Sequence, residues 1–526
     1  MRGLKESGLV RPGGLAGLLP RLWRSSAFGG PADTATAVRM RSLIVLLVLP
    51  GVLLFGALTY PLFEPDEGRY AQIPREMHER GEWIVPTMQG VPYLDKPPLF
   101  YWLVRLSYAT FGVSEASARL VPAVCVHLTI LLVYLVGRRS VGERSAFLAA
   151  LLLTVAPGYL GIARILVLDG LLTLCVTAAT LCGFEAVRTG KLKLGWWLLS
   201  ALASGLGFLA KGPVAEVLLF PPLVAFAYLT RSPVRVGFGR LALFIAVAVA
   251  VNLPWYVGMY VREPGFLKHF FWEHNVMRFV QPFDHLQPVW FYVPILLAGF
   301  LPGLPIGLGV LRSLLWGGGA PRSCAAGFWW LSGAWCLFFF SCSGSKLPTY
   351  ILPAFPPLCL ALGEALARSP WWTPLRTYAW LGSWVGFVAV LVFAFVPWYA
   401  LERSPLKEPQ RVRKYTSDPA VPVVTYPRPL NSVAFAEGRS DFSEVKIKDV
   451  NPFYVDCHFR PRTVVLFTTM NAFDGMKNGL PPSLRLVEHA TFRRPKGSSV
   501  LDKLSGSSPW GLCDIAVVEP LVLQKR

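Results

Sequence analysis

The sequence predicts a polytopic α-helical membrane protein that ends in a small α/β domain. Three observations lead there. Apolar residues make up 53% of the 526 positions, gather in long blocks and give the chain a positive mean hydropathy. Between the blocks, clusters of arginine and lysine fall at every second loop, the pattern of short loops kept on one side of a membrane. From about residue 401 the blocks give way to short β-branched runs such as "RTVVLFTTM", separated by Pro, Asn and Gly breakers.

The first block, Ser42 to Phe63, holds 22 residues without a charge, enough for a hydrocarbon core that needs ~20 helical residues. It is longer than the ~7–15 residues of a signal-peptide core and no clear small-x-small cleavage site follows, so it is expected to stay as a helix. Ten more blocks follow at roughly 118–137, 145–163, 168–187, 194–210, 212–230, 241–261, 287–311, 323–343, 347–366 and 377–400. The alternate loops carry Arg138, Arg139 and Arg144; Arg188, Lys191 and Lys193; Arg231, Arg235 and Arg240; Arg312 and Arg322; Arg368 and Arg376. Placing these in the cytoplasm, with a basic and poorly ordered lead over 1–41, gives eleven spans, an odd number that leaves the tail outside. Residues 85–112 and 259–285 have room for two more, so the expectation is about 11–13 transmembrane helices. The expected organisation is a membrane domain over 42–400, an outer loop over 64–118 with helices lying in the interface, and an extracytoplasmic α/β domain over 401–526.

Net charge is +20, from 51 Lys+Arg against 31 Asp+Glu. In a chain this apolar the excess points to cytoplasmic loops, membrane lipids and lipid phosphates as partners, and not to nucleic acid. The nine cysteines show no CxxC pair and no metal-finger spacing; pairing of Cys457 with Cys513 in the tail stays open.

The loop assignment collects the charges that carry chemistry. Asp66, Asp95, Lys96, Asp169, Lys211, Arg278, His285 and Lys346 all fall on the outer side. In "FEPDEGRYAQIPREM" the neighbours Asp66 and Glu67 point ~100° apart on any helix, so one can act while the other forms a local salt bridge, with Arg69 or Arg75 within reach. A carboxylate against apolar surface suits proton abstraction from a hydroxyl; capping of the helix N-terminus is the structural alternative. Lys96 precedes Pro97 and Pro98, which open a helix whose free N–H groups suit a phosphate; a lysine snorkelling to the headgroups is the alternative. Asp169 stands five residues after Arg164 and has it as an alternative partner; Lys211 sits at a hairpin tip, where a lysine is commonly solvated. Asp95 and His285 are too far apart in sequence for their spacing to point to a metal.

Together these groups suit transfer from a lipid phosphate, with cations holding the phosphate leaving group and a carboxylate deprotonating the acceptor. No Gly-rich nucleotide loop is apparent, so no nucleotide cofactor is expected. A non-catalytic carrier or flippase for such lipid phosphates, built on the same basic pocket, is the alternative, and a ligase using a pyrophosphate-linked donor is a second. A transporter would keep its charges at the bilayer midplane within a repeat, and no repeat is visible.

Several separated motifs add a resemblance. "EPDEGRYAQIPREM…GEWIVPTMQGVPYLDKPPLFYW", "FLAKGP", "HLQPVWFY" and "GSKLPTYILPAFPPLCLALG" appear in the order found in the aminoarabinose lipid A transferases and their protein O-mannosyltransferase relatives, over roughly 42–370. The resemblance implies a GT-C fold glycosyltransferase of a bacterial inner membrane, with an extracytoplasmic site. It also implies a polyprenyl-phosphate sugar as donor and a lipid, glycan or protein as acceptor. It makes Asp66 the general base and Asp169 a second carboxylate near the sugar. Lys96 becomes the lysine at the donor phosphate, and Glu67, Arg69, Tyr70, Lys211, Arg278, Lys346 and Tyr350 become further substrate-binding residues. Asp95 and His285 match positions linked to a divalent metal, with zinc the candidate. The chain departs from the aminoarabinose branch at Asp95, where Glu is usual, and at Gly68, where a hydroxyl residue is common.

Overall fold

The computed structural model describes residues 31–230, 234, 236–281, 285–315, 323–370, 372–469, 471–492 and 512–522. The lead through residue 30, and Arg231, Arg235 and Arg322 of the basic loops, lie outside the described residues.

Every apolar block contains helix, but not every one is a single span. Eight helices are long and apolar enough to cross a membrane, and a ninth span follows if the pair Val289–Gly299 and Leu301–Arg312, bent by 80°, counts as one. The block at 145–163 is broken into Glu143–Val155 and Pro157–Ala163, because Pro157 has no N–H to continue the ladder and Ala156 takes an extended conformation. The block at 212–230 becomes the shorter Val214–Leu229 helix, which carries Pro221 and Pro222 inside it. Thus eleven blocks yield eight or nine candidate spans among the described residues.

The first helix runs Pro31–Phe55, earlier at both ends than the 42–63 block. Residues 56–63 stay apolar but leave the helix because two buried arginines take their carbonyls. Arg164 donates to Leu53, Gly56 and Ala57; Arg119 donates to Leu58, Tyr60 and Pro61. Arg164 is thereby spent on the scaffold and does not serve as the partner of Asp169.

The outer loop folds into the helices Asp66–Glu79 and Leu99–Phe111, joined by a hairpin of β1 (Thr87–Met88) and β2 (Val91–Pro92). Gln89 and Gly90 both take positive φ, which a two-residue turn of this hand requires. The Glu76 carboxylate accepts from the N–H groups of Gln89 and Gly90, the Thr87 hydroxyl and Gln72 Nε2, and so fastens the turn to the first helix. Tyr70, Ile73 and Met77 are buried, as their spacing predicts. In the second helix Leu99, Trp102, Leu103 and Leu106 recur at helical spacing, a pattern that predicts a shared buried face. The buried face is instead Phe100, Tyr101, Val104 and Tyr108, with Leu106 59% exposed, since these aromatics pack on Tyr70 and leave the leucine side outward.

From Val423 the chain builds a five-stranded mixed sheet in the order β4 (Ser443–Glu444), β3 (Val423–Tyr426), β5 (Thr463–Phe467), β7 (Asp514–Pro520), β6 (Leu484–Thr491). The β4–β3–β5 part is parallel and β7 is antiparallel to both neighbours. The central strands β3 and β5 are buried along their whole length, hence their continuous VVTY and TVVLF runs. Cys457 and Cys513 are buried thiols of this region.

Candidate active site

Asp66 and Glu67 open the same helix and meet different fates. Glu67 is fully buried: Oε1 accepts from Arg119 Nε at 2.8 Å and from the Leu166 N–H at 2.8 Å, while Oε2 accepts from Arg119 Nη2 at 2.5 Å and from the Phe63 N–H at 2.8 Å. No lone pair is left for substrate, so Glu67 is a scaffold residue and not the substrate contact expected. Its ion pair is with Arg119, 52 residues away, and not with Arg69 or Arg75. Asp66 keeps a side chain 40% exposed, met by Arg69 Nη1 at 3.8 Å. Tyr70 is buried among Phe100 and Tyr101, where it shapes the wall.

Lys96 and Asp95 follow the hairpin and face the segment Lys268–Met277. That segment is a π-helix, whose wider turn brings residues five apart onto one face. His269 and His274 are five apart, and one ligand atom from each, with one Asp95 oxygen, lie within 4.8 Å of one another. His269 Nε2 is 3.0 Å from Asp95 Oδ1, His269 Nδ1 is 3.0 Å from Glu273 Oε2, and His274 Nδ1 is 3.9 Å from Asp95 Oδ1. On its other edge, His274 Nε2 meets Lys96 Nζ at 2.6 Å and Arg278 Nη1 at 3.1 Å.

These charges work on one another. Burial, helped by Lys211 and Arg278, pushes the Lys96 ammonium down to about 7, although Asp95 and Asp169 pull the other way. Burial alone would raise Asp95, but His274, the His269 hydrogen bond and Lys96 hold it below the usual carboxylate range. Asp95 and Glu273 raise His269 against its own burial. Burial and then Lys96 lower His274.

Asp169 pairs with Lys211: Nζ to Oδ1 is 2.5 Å, and Nζ also lies 4.2 Å from the Tyr350 ring centre. The hairpin tip is therefore enclosed, not solvated. Gly212 is needed there twice over, for a φ of +85° and because a Cβ would meet Phe270 at 2.6 Å.

Two expected site residues stand apart. Lys346 Nζ donates to the carbonyls of Gln287 and Ser343, and its own N–H is held by the His285 carbonyl. It knots two loops together and is not part of the cationic group around Lys96. His285 lies outside the Asp95 cluster, in a left-handed backbone conformation with φ +49°. His269 and His274 occupy the place expected for it. The sequence pattern singles out neither of them, nor Tyr93, whose hydroxyl lies beside Arg69 and Asp95. The signal for the histidines is the five-residue spacing in "KHFFWEHNVMRF", unremarkable on an α-helix and informative only on a π-helix.

Glu64 adds a titratable group at the rim. Its Oε1 accepts the Ser432 N–H at 2.6 Å, and Oε2 has no partner among the described residues. Burial pushes this carboxyl from near 4.5 up to about 7, opposed by Ser432 and Arg69 and reinforced by Asp66. The folded chain then holds a proton that the unfolded chain releases, so the stabilising contribution is complete below pH 4.5 and lost as pH rises through about 7. Glu64→Gln, which keeps the acceptor, is expected to match the wild type near pH 4.5 and to melt about 2–4 °C higher at about pH 8, read by intrinsic fluorescence. Equal melting curves at both pH values would remove the effect.

The sequence profile described as dolichyl-phosphate-mannose-protein mannosyltransferase matches residues 95–255. An undecaprenyl phosphate-alpha-4-amino-4-deoxy-L-arabinose arabinosyl transferase of Pseudomonas fluorescens is 35% identical over 349 residues, covering 65% of this chain and 59% of its own length. The enzyme of that name from Yersinia enterocolitica is 36% identical over 327 residues, covering 59% of this chain and 57% of its own. The chain thus matches less than two thirds of the length of these curated relatives. The crystal structure of ArnT from Cupriavidus metallidurans bound to undecaprenyl phosphate superposes with a TM-score of 0.74 at 22% identity, over 94% of this chain and all of that one. In sequence the chain resembles the aminoarabinose transferases and the protein mannosyltransferases, and its fold is the GT-C membrane fold seen in that ArnT.

Proposed function

We propose that the protein is an inverting glycosyltransferase that moves a sugar from a polyprenyl-phosphate donor to a lipid, glycan or protein acceptor at the outer face of the membrane. The observation that carries this reading is the gathering of Lys96, Arg278 and Lys211 in one electrostatic neighbourhood, next to Asp169 and Asp95. Three cations beside two carboxylates suit a phosphate that gains charge as the sugar leaves. Asp66, exposed and not consumed by a buried pair, takes the acceptor proton. The acceptor oxygen forms its bond to the anomeric carbon from the face opposite the phosphate. The bond between that carbon and the phosphate oxygen breaks, and the polyprenyl phosphate departs with the electron pair. Asp169, fixed by Lys211, is placed to orient sugar hydroxyls.

The nitrogen and oxygen donors of Asp95, His269 and His274 fit a divalent ion such as zinc, and Glu273 on His269 Nδ1 is the kind of outer partner that orients a ligating histidine. A bound ion would add positive charge beside the leaving phosphate. His269→Ala is expected to lower metal content from about one ion per chain to background by mass spectrometry. Equal content in the variant and wild type would place any metal elsewhere.

The reaction itself is tested with purified protein in detergent, a panel of radiolabelled polyprenyl-phosphate monosaccharides and a membrane-plus-protein extract as acceptor pool. Label appearing on a lipid or protein band identifies the donor. Saturable donor binding with no transfer from any sugar would favour a non-catalytic polyprenyl-phosphate carrier.

A further inference from the structure

The outer-loop helix that carries Asp66 is gripped along its length by the C-terminal domain. At one end, Glu64 Oε1 accepts the Ser432 N–H of the short Asn431–Ala436 helix at 2.6 Å. At the other, Arg75 Nη1 donates to the carbonyls of Ala434 at 3.1 Å, Phe435 at 3.4 Å and Arg439 at 3.4 Å, and Gln72 Nε2 donates to the Arg439 carbonyl at 2.8 Å. One N–H at the start of that helix and two carbonyls at its end are thus taken by side chains of residues 64–75.

The surfaces meet too closely for any side chain at position 68. A Cβ on Gly68 would stand 2.6 Å from the Ser432 backbone nitrogen and 2.9 Å from Glu64 Oε1. Gly68 is therefore the residue that admits the C-terminal helix. Arg439 carries the connection inward, with its guanidinium on the carbonyls of Thr416, Asp418 and Val421, just before β3. Next to Arg75, Glu76 holds the hairpin that leads to Tyr93, Asp95 and Lys96.

We propose that the C-terminal domain is a positioning element of the site, acting through Arg75, Glu64 and the space at Gly68 to set how the outer loop presents Asp66 and Arg69. The positioning claim rests on the transferase reading above; the grip itself does not. Arg75 is not among the residues proposed to meet substrate, and its side chain is 2% exposed.

Two opposite lesions in the full-length protein test it. Arg75→Met removes the donors, and Gly68→Ala inserts a methyl group into the contact. Both are expected to speed amide hydrogen exchange over 66–79, 87–92 and 431–439 while leaving the 115–135 span unchanged. In transfer assays both should lower kcat by about 10- to 100-fold, the usual penalty of a small misplacement. Donor KM should stay within about twofold, because Lys211 and Arg278 sit on other elements and Lys96, although it follows the hairpin, is held by His274 of the Lys268–Met277 segment. Arg75→Lys, which keeps one donor to the carbonyls, should recover part of the lost kcat. Unchanged exchange in the three segments, or an unchanged kcat with a raised donor KM, would overturn the proposal. If the exchange responds as expected while even the wild type transfers no sugar, the transferase reading fails and the grip alone stands.

Discussion

Asp66→Asn is expected to lower sugar transfer by about 10²- to 10⁴-fold, the usual share of a general base, with folding and donor binding retained. The expectation rests on how loosely Asp66 is held. Its side chain is 40% exposed and, among the described residues, pairs with the Arg69 guanidinium alone, at 3.8 Å, so replacing one oxygen by an amide costs the fold little. Arg69 in turn lies beside Tyr93, which reaches Asp95, so the carboxylate stays connected to the pocket around Lys96. Asn keeps the size and loses the basicity. The check is kcat with the identified donor, alongside donor binding and a melting curve. Full transfer by a well-folded Asp66→Asn protein would take the base role from this residue, and normal donor uptake with no chemistry would support it. A carrier would tolerate the change.

The neighbouring substitution should fail in the opposite way. Glu67→Gln leaves the Arg119 guanidinium buried without its counter-charge, and breaking such a pair typically costs ~3–5 kcal/mol. Both side chains are fully buried, and Arg119 also holds the carbonyls of Leu58, Tyr60 and Pro61 that lead into the outer loop. The expected result is a protein that aggregates on extraction or melts far below the wild type, measured by size-exclusion profile and melting temperature. Donor affinity in whatever fraction folds should be normal. A stable Glu67→Gln protein with impaired donor binding would return Glu67 to the substrate-binding set. The two adjacent carboxylates thus separate chemistry from scaffold in a single pair of variants.

Much of this was readable in the chain, and the limit has a physical form. The apolar blocks, the two outer-loop helices and the strands past residue 401 follow from local patterning, and each is present. Where blocks broke, a proline or a buried arginine was responsible. The same patterning could not distinguish the two apolar faces of the Leu99–Phe111 helix, since both are hydrophobic and only the packing partner chooses between them. Nor could it separate Lys346 from Lys211, two outer lysines of the same chemistry. One is consumed by backbone carbonyls and the other by Asp169.

What the sequence determined by itself was a polytopic membrane protein with charged motifs in the loops between its apolar blocks, because hydropathy, loop charge and helical period are properties of neighbouring residues. The tertiary structure decided the pairing. Glu67 finds Arg119 at a separation of 52 residues, Lys211 finds Asp169 at 42, and Lys96 finds His274 at 178. It also decided the histidines, since His269 and His274 share a face only where the backbone takes π-helical turns. Ion pairs and ligand sets depend on distances through space, which local periodicity does not encode. A buried charge accepts whichever partner the packing delivers, and that delivery sorts the acidic and basic residues of these loops into site and scaffold.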